Sequence, residues 1–166
     1  MNRRDVRAVP VDDKMAVTIK KVGVIGSGQM GNGIAHVAAL AGYDVVLNDL
    51  SDERLKSAMA TINGHLSRQV AKQAVTEDAR KKALDRITST ETLDGLADCD
   101  LVIETAVEKE EVKRKIFHEL CAVLKPEAIV ATNSSSISIT RLAASTDRPE
   151  RFIGIHFMNP VPAMEL

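Results

Sequence analysis

The sequence predicts an α/β protein built on a doubly wound, mainly parallel sheet. Three observations carry that expectation. Short β-branched runs alternate with longer segments of helical periodicity, the pattern of strands joined by crossover helices. Most of the strand-like runs are apolar on successive residues, as strands covered on both faces are. A glycine-rich hexapeptide, Gly26-Ser27-Gly28-Gln29-Met30-Gly31, joins the first run to the first helical segment.

The elements follow in order. Ile19–Ile25 reads as a buried strand, and the small residues through Ile34–Leu40 as a helix ending near Gly42. Asp44–Asn48 is a second strand. Leu55, Met59, Ile62, Leu66 and Val70 recur every three or four residues and mark a helix that begins near Ser51 or Asp52. Asp78–Leu84 is a short helix, Arg86–Ser89 a strand of mixed polarity and Asp100–Glu104 an apolar one. Val112, Ile116, Leu120 and Val123 make another helical stripe, closed by Pro126. Ala128–Ala131, a short helix over Ile139–Ala144, and a strand over Arg151–His156 complete six candidate strands. The prolines of Met158-Asn159-Pro160-Val161-Pro162 exclude regular strand pairing there.

Composition narrows the function classes. The chain is 45% hydrophobic and 27% charged, which suits a globular core, and the absence of Trp makes that core mainly aliphatic. A net charge of -1 leaves no basic footprint for nucleic acid. No apolar run approaches the ~18 residues that span a bilayer. Cys99 and Cys121 form no C-x-x-C pair and no metal-ligand spacing, so they read as reduced thiols in a cytoplasmic protein without a bound metal. Residues 1–18 are expected to be a disordered tail: Arg3, Arg4 and Arg7 are mixed with Asp5, Asp12 and Asp13, and no apolar signal core follows. Residues 19–166 are expected to form one domain.

The hexapeptide matches G-x-G-x-x-G in the context that gives it meaning, after a strand and opening a helix. Gly26 suits the tight turn, Gly28 lets the backbone approach a pyrophosphate, and Gly31 permits close packing of helix on sheet. The N–H groups of Gln29 and Met30 then open the helix toward the phosphates. Asp49, at the end of the second strand, can accept hydrogen bonds from ribose hydroxyls and would repel a 2′-phosphate. No arginine is evident beside it. Together these features predict a Rossmann-type domain that prefers NAD to NADP. The competing reading is a plain glycine turn and a solvated Asp.

Two later segments hold candidate chemistry. Asn133-Ser134-Ser135-Ser136 follows the fifth strand, where ligands sit in open α/β sheets. It reads either as a ligand-facing turn or as a helix N-cap cluster. His156 ends the sixth strand and reads either as a general base or as a half-buried histidine with one nitrogen satisfied.

With these residues in view, the chain from about Lys20 to Leu166 resembles the NAD-binding domain of the 3-hydroxyacyl-CoA dehydrogenases, the 3-hydroxybutyryl-CoA type especially. The resemblance rests on Val22–Gly31, Ala106-Val107-Glu108, Thr132–Ser136 and, most specifically, His156-Phe157-Met158-Asn159-Pro160-Val161-Pro162. It implies oxidation of an L-3-hydroxyacyl-CoA to the 3-ketoacyl-CoA with NAD as hydride acceptor. By position, His156 would be the base, Ser135 would hydrogen-bond the same substrate oxygen, and Glu108, Asn133 and Asn159 would help hold the cofactor. Lys72 would contact the CoA phosphates, against the alternative of a solvated lysine. The family continues into a helical second domain that closes the substrate site, makes a homodimer and follows its histidine with a glutamate partner. Glu165 stands too early to match that glutamate, so the expectation is a chain truncated before the second domain: one that binds NAD and turns over poorly alone, with an apolar face exposed. A non-catalytic NAD-binding module and a structural protein are the alternatives.

Overall fold

The computed structural model describes residues 18–164. Nearly all of the anticipated N-terminal tail and Glu165 lie outside them.

Among the described residues six strands form one sheet: β1 (Lys21–Ile25), β2 (Asp44–Asn48), β3 (Ile87–Thr90), β4 (Leu101–Glu104), β5 (Ile129–Thr132) and β6 (Phe152–Gly154). Their order is β3-β2-β1-β4-β5-β6 and every neighbouring pair is parallel. The anticipated sheet is therefore present, and wholly rather than mainly parallel. The chain leaves β1 in one direction for β2 and β3, then returns to its other side for β4. That reversal puts a crevice beyond the carboxyl ends of β1 and β4.

The α-helices among the described residues are α1 (Gln29–Leu40), α2 (Asp52–Ala71), α3 (Glu77–Asp85), α4 (Glu110–Val123) and α5 (Ile139–Ala143). Ser51 and Thr76 cap α2 and α3 by accepting hydrogen bonds from the N–H groups of Arg54 and Ala79. Acidic residues fill the first turns of α2, α3 and α4, where they meet the positive end of the helix dipole. Successive strand residues point to opposite faces and so feed two cores. Val22, Val24, Val45 and Leu47 pack with Ile34, Leu55, Ile62 and Leu66 of α1 and α2. Ile25, Val46, Val102 and Val130 pack with Phe117, Leu120 and Leu142 of α4 and α5.

Two sequence expectations are corrected. β6 ends at Gly154, not at His156. Its partner β5 ends at Thr132, so after Ile155 donates to the Thr132 carbonyl there is no further strand to pair with. The buried face of α4 is Lys113, Phe117, Leu120 and Cys121, while Val112, Ile116 and Val123 are only half-buried. Of the stripe read from the sequence only Leu120 is fully buried; Ile116 and Val123 flank the core, and a lysine holds one of the core positions.

Phe117 is fully buried and meets Phe152 of β6 edge-on, with ring centroids 5.0 Å apart and planes at 84°. This contact ties α4 to the last strand. Phe117→Ala is expected to cost about 3–5 kcal/mol, read from the urea midpoint with the slope unchanged.

Candidate active site

One rung of backbone hydrogen bonds runs beyond the strands and fixes the carboxyl edge of the sheet. The N–H groups of Asp49, Gly26, Thr105, Asn133 and Ile155 donate to Thr90, Asn48, Ile25, Glu104 and Thr132, at 2.8 to 3.3 Å. Each donor begins a loop that carries a candidate site residue, so sheet register sets the site.

At the first loop, Gly26 has φ +94°, a left-handed conformation that a side chain would strain. A Cβ on Gly31 would stand 1.7 Å from the Gly26 carbonyl oxygen, so only glycine allows α1 to start this close to the strand. Gly28 is different, since nothing lies within 4 Å of where its Cβ would be. It is the N-cap of α1 and makes no side-chain cap bond, which leaves the first-turn N–H groups facing the cleft. The Gln29 side chain lines a cleft and Met30 packs against the core. The Thr105 hydroxyl lies 2.8 Å from the Ile25 carbonyl oxygen and 3.1 Å from that of Gly26, bracing the turn from β4. This cradle fits a pyrophosphate, with open space at Gly28 and unshared N–H groups behind it.

Asp49 is bound to the cradle. Its Oδ2 accepts from the Ser27 N–H at 2.9 Å and the Ser27 hydroxyl at 2.8 Å. Oδ1 faces outward, and Arg54 Nη1 lies 3.8 Å from it. The sequence reading saw no arginine here. Arg54 escaped because it is five positions on, yet Ser51 as N-cap puts it in the first turn of α2, beside the end of β2. Two clefts meet at this point. One, about 590 Å³, lies between the loop, α2 and the Asn159–Pro162 segment. The other, about 870 Å³, crosses the ends of β1 and β4 and is walled by Leu93, Ala106, Val107, Val112 and Ile116. The half-buried face of α4 is thus a wall of this slot.

Below the far side of the edge lies a polar core that the sequence reading missed. Glu104 is fully buried. Lys113 Nζ donates to both its oxygens, at 2.7 and 2.9 Å, and the Thr132 hydroxyl and Ala106 N–H donate at 2.7 and 2.6 Å. Lys113, 1% exposed, also reaches the Ala106 carbonyl at 3.3 Å and Glu108 Oε2 at 3.4 Å. Glu108 in turn gathers the serine loop. Its Oε1 accepts from the Ser134 hydroxyl, the Ser135 N–H at 3.2 Å, and the Ser136 N–H and hydroxyl at 3.1 and 3.0 Å. Burial pushes the Glu108 carboxyl up, but the bonds from Ser134 and Ser136 and the nearby Lys113 charge outweigh it and hold the pKa at about 2.

Ser135 and His156 are both exposed, on the loops after neighbouring strands β5 and β6. Asn133 links them: its Oδ1 accepts from the Phe157 N–H at 2.7 Å. Asn159 precedes a cis Pro160 and lines the smaller cleft. Val161 is buried against α1, where a Cβ on Gly33 would come within 2.9 Å of it. Lys72 is exposed just past the end of α2 and does not line this cleft, whose lining on α2 extends to His65. Among the described residues there is no cluster of His, Cys, Asp or Glu suited to a metal ion, and no helix long and apolar enough to cross a membrane.

Two outcomes follow from these bonds. Lys113→Met should cost about 3–5 kcal/mol, because it leaves a buried carboxylate unpaired, whereas Thr132→Val should cost only about 1–2 kcal/mol for one lost hydrogen bond; urea unfolding separates the two. Glu108 has a lower pKa folded, about 2, than its ordinary 4.5. The unfolded chain therefore binds more protons between those values, and the stability Glu108 gives is present above about 4.5 and lost as pH falls toward 2. Glu108→Gln should flatten the acid limb of the stability curve in that window; an unchanged limb would show that Glu108 contributes nothing there.

Comparison with known proteins agrees with this geometry. Residues 21–166 match the family model described as 3-hydroxyacyl-CoA dehydrogenase, NAD binding domain. A 3-hydroxybutyryl-CoA dehydrogenase of Bradyrhizobium diazoefficiens is 82% identical over 152 residues, 92% of this chain and 52% of that protein. A 3-hydroxyadipyl-CoA dehydrogenase of Escherichia coli is 43% identical over 92% of this chain and 32% of its own length. The crystal structure of (S)-3-hydroxybutyryl-CoA dehydrogenase from Ralstonia eutropha superposes with a TM-score of 0.88 at 44% identity, covering 90% of this chain and 53% of that one. The chain spans about half the length of the 3-hydroxybutyryl-CoA dehydrogenases it matches. Its glycine cradle, the carboxylate anchored beside it and these matches give one conclusion: the chain belongs to the NAD-binding-domain family of the 3-hydroxyacyl-CoA dehydrogenases.

Proposed function

We propose that this chain binds NAD and that, in a protein of its relatives' full length, it serves the oxidation of an L-3-hydroxyacyl-CoA, 3-hydroxybutyryl-CoA foremost, to the 3-ketoacyl-CoA. The observation that carries this reading is the shared sheet edge, where the Gly26–Gly31 cradle, Asp49, the Glu108-bound serine loop and the His156 segment are held by one hydrogen-bond rung. The pyrophosphate would sit on Gly28 and the first-turn N–H groups of α1. Asp49 Oδ1 would accept from the adenosine ribose, and the slot walled by Val107, Val112 and Ile116 would take the adenine.

Bound NAD supplies the hydride acceptor. His156 takes the proton of the substrate's 3-hydroxyl as the hydride leaves the same carbon, so that a carbonyl results. The Ser135 hydroxyl donates to that oxygen and fixes its direction. Glu108 contributes by holding the serine loop, and Asn133 by holding Phe157, next to the base. Asn159 completes the nicotinamide side. Lys72, beyond the cleft, has its role in this reading at the phosphates of CoA. A homodimer and a cytoplasmic location belong to the same reading. Cys99 and Cys121 are buried free thiols, as in a reducing compartment, and burial raises the Cys99 thiol to about 11.

Calorimetric titration of the chain with NAD tests the binding half. For the reaction half, acetoacetyl-CoA-dependent NADH oxidation is followed in the protein of full length. There His156→Gln should lower kcat by about 10²- to 10⁴-fold while the NAD dissociation constant stays within about twofold. Full turnover by that variant would remove His156 as the base. NAD binding without turnover in the unaltered protein would make it a non-catalytic NAD-binding module instead.

A further inference from the structure

We infer that Arg54 is a second specificity-determining residue for the cofactor, one that works against Asp49 by offering a cation to a 2′-phosphate. The inference rests on the NAD-binding reading above and refines the part assigned to Asp49 alone.

Three observations support it. Asp49 does not face the cleft with both oxygens, because Ser27 occupies Oδ2 with two hydrogen bonds. Only Oδ1 is available for a ribose hydroxyl, and the nearest cation to it is the Arg54 guanidinium, at 3.8 Å. That distance is beyond hydrogen-bond length, so the pair is a charge contact and not a locked fork. The guanidinium makes no hydrogen bond among the described residues, and its donors stay uncommitted. Finally, the Asp49 side chain is 10% exposed and that of Arg54 75%, and both residues border the two clefts. The carboxylate is thus backed by the phosphate loop, with the cation standing over it on the solvent side.

The consequence is a balance and not a simple exclusion. A 2′-hydroxyl meets Oδ1 as acceptor. A 2′-phosphate meets the Oδ1 charge as repulsion and the Arg54 donors as attraction, and guanidinium binds phosphate well. Arg54 therefore softens the discrimination that Asp49 imposes, and it would become the dominant contact once the carboxylate charge is removed.

The test uses calorimetric titration with NAD, and with NADP directly or by displacement of NAD, on four proteins: the unaltered chain, Arg54→Gln, Asp49→Asn, and the double variant. Asp49→Asn keeps an oxygen to accept the two Ser27 bonds, so the loop retains its anchor while losing the charge. Arg54→Gln is expected to leave NAD within about twofold and to weaken NADP about threefold or more, more strongly at low salt. Asp49→Asn is expected to strengthen NADP, and adding Arg54→Gln to it should weaken NADP about tenfold. If Arg54→Gln weakens NAD and NADP by the same factor, the guanidinium serves the adenine common to both and the inference is wrong. Equal NADP affinity in Asp49→Asn and the double variant overturns it as well. The Arg54→Gln comparison stands by itself should Asp49→Asn fail to fold. Absence of NAD binding by the unaltered chain would instead overturn the reading on which the inference rests.

Discussion

The carboxylate of Glu104 is the constraint on which this site depends. It sits at the end of a central strand with no access to water, and four donor contacts from three elements converge on it. A charge in such a place is tolerable only when it is neutralised and hydrogen-bonded. Lys113 supplies the neutralisation, and by doing so it ties α4 to the end of β4. The same ammonium lies near Glu108, and Glu108 holds the serine loop. A single buried ion pair thus connects the loop after β4, the helix after it and the loop after β5. The glycine cradle is joined to the same place through Thr105, the residue after Glu104.

Much of the architecture was legible because it is locally encoded. Asp44–Asn48 is a strand with the boundaries its composition suggests, since its flanking residues change character sharply. Ser51 as a helix cap was readable for the same reason. Errors arose where a distant partner decides the outcome. The apolar run into His156 gives no sign that β5 stops at Thr132 and takes β6 with it. In α4, a helical wheel drawn from hydrophobicity places Lys113 outside. Nothing within α4 tells that a carboxylate nine residues earlier waits for it inside.

For the site, the sequence shows residue types but not how they are used. Glu108 was assigned to the cofactor by resemblance. In the structure its Oε1 is occupied by donors of the serine loop. Asn133 likewise faces the segment bearing His156. Arg54 was overlooked because α2 begins between it and Asp49, and only the turn geometry returns it to the carboxylate. Lys72 lies just past the end of α2, outside the lining of the smaller cleft.

The brace from Thr105 to the carbonyls of Ile25 and Gly26 spans 80 and 79 residues of chain. Contacts so far apart in sequence close late, because the intervening loop must lose its entropy before they form. β1 cannot acquire its second neighbour until β4 exists, and every pairing in this sheet is a parallel one that needs a crossover between its strands. On the ribosome, chains emerge from the N-terminus, at roughly 5–20 residues per second. The Gly26–Gly31 loop is therefore made early in the fold but waits for β4 before it takes its final shape. Until residue 105 has been made and placed, Gly26 has no support from β4.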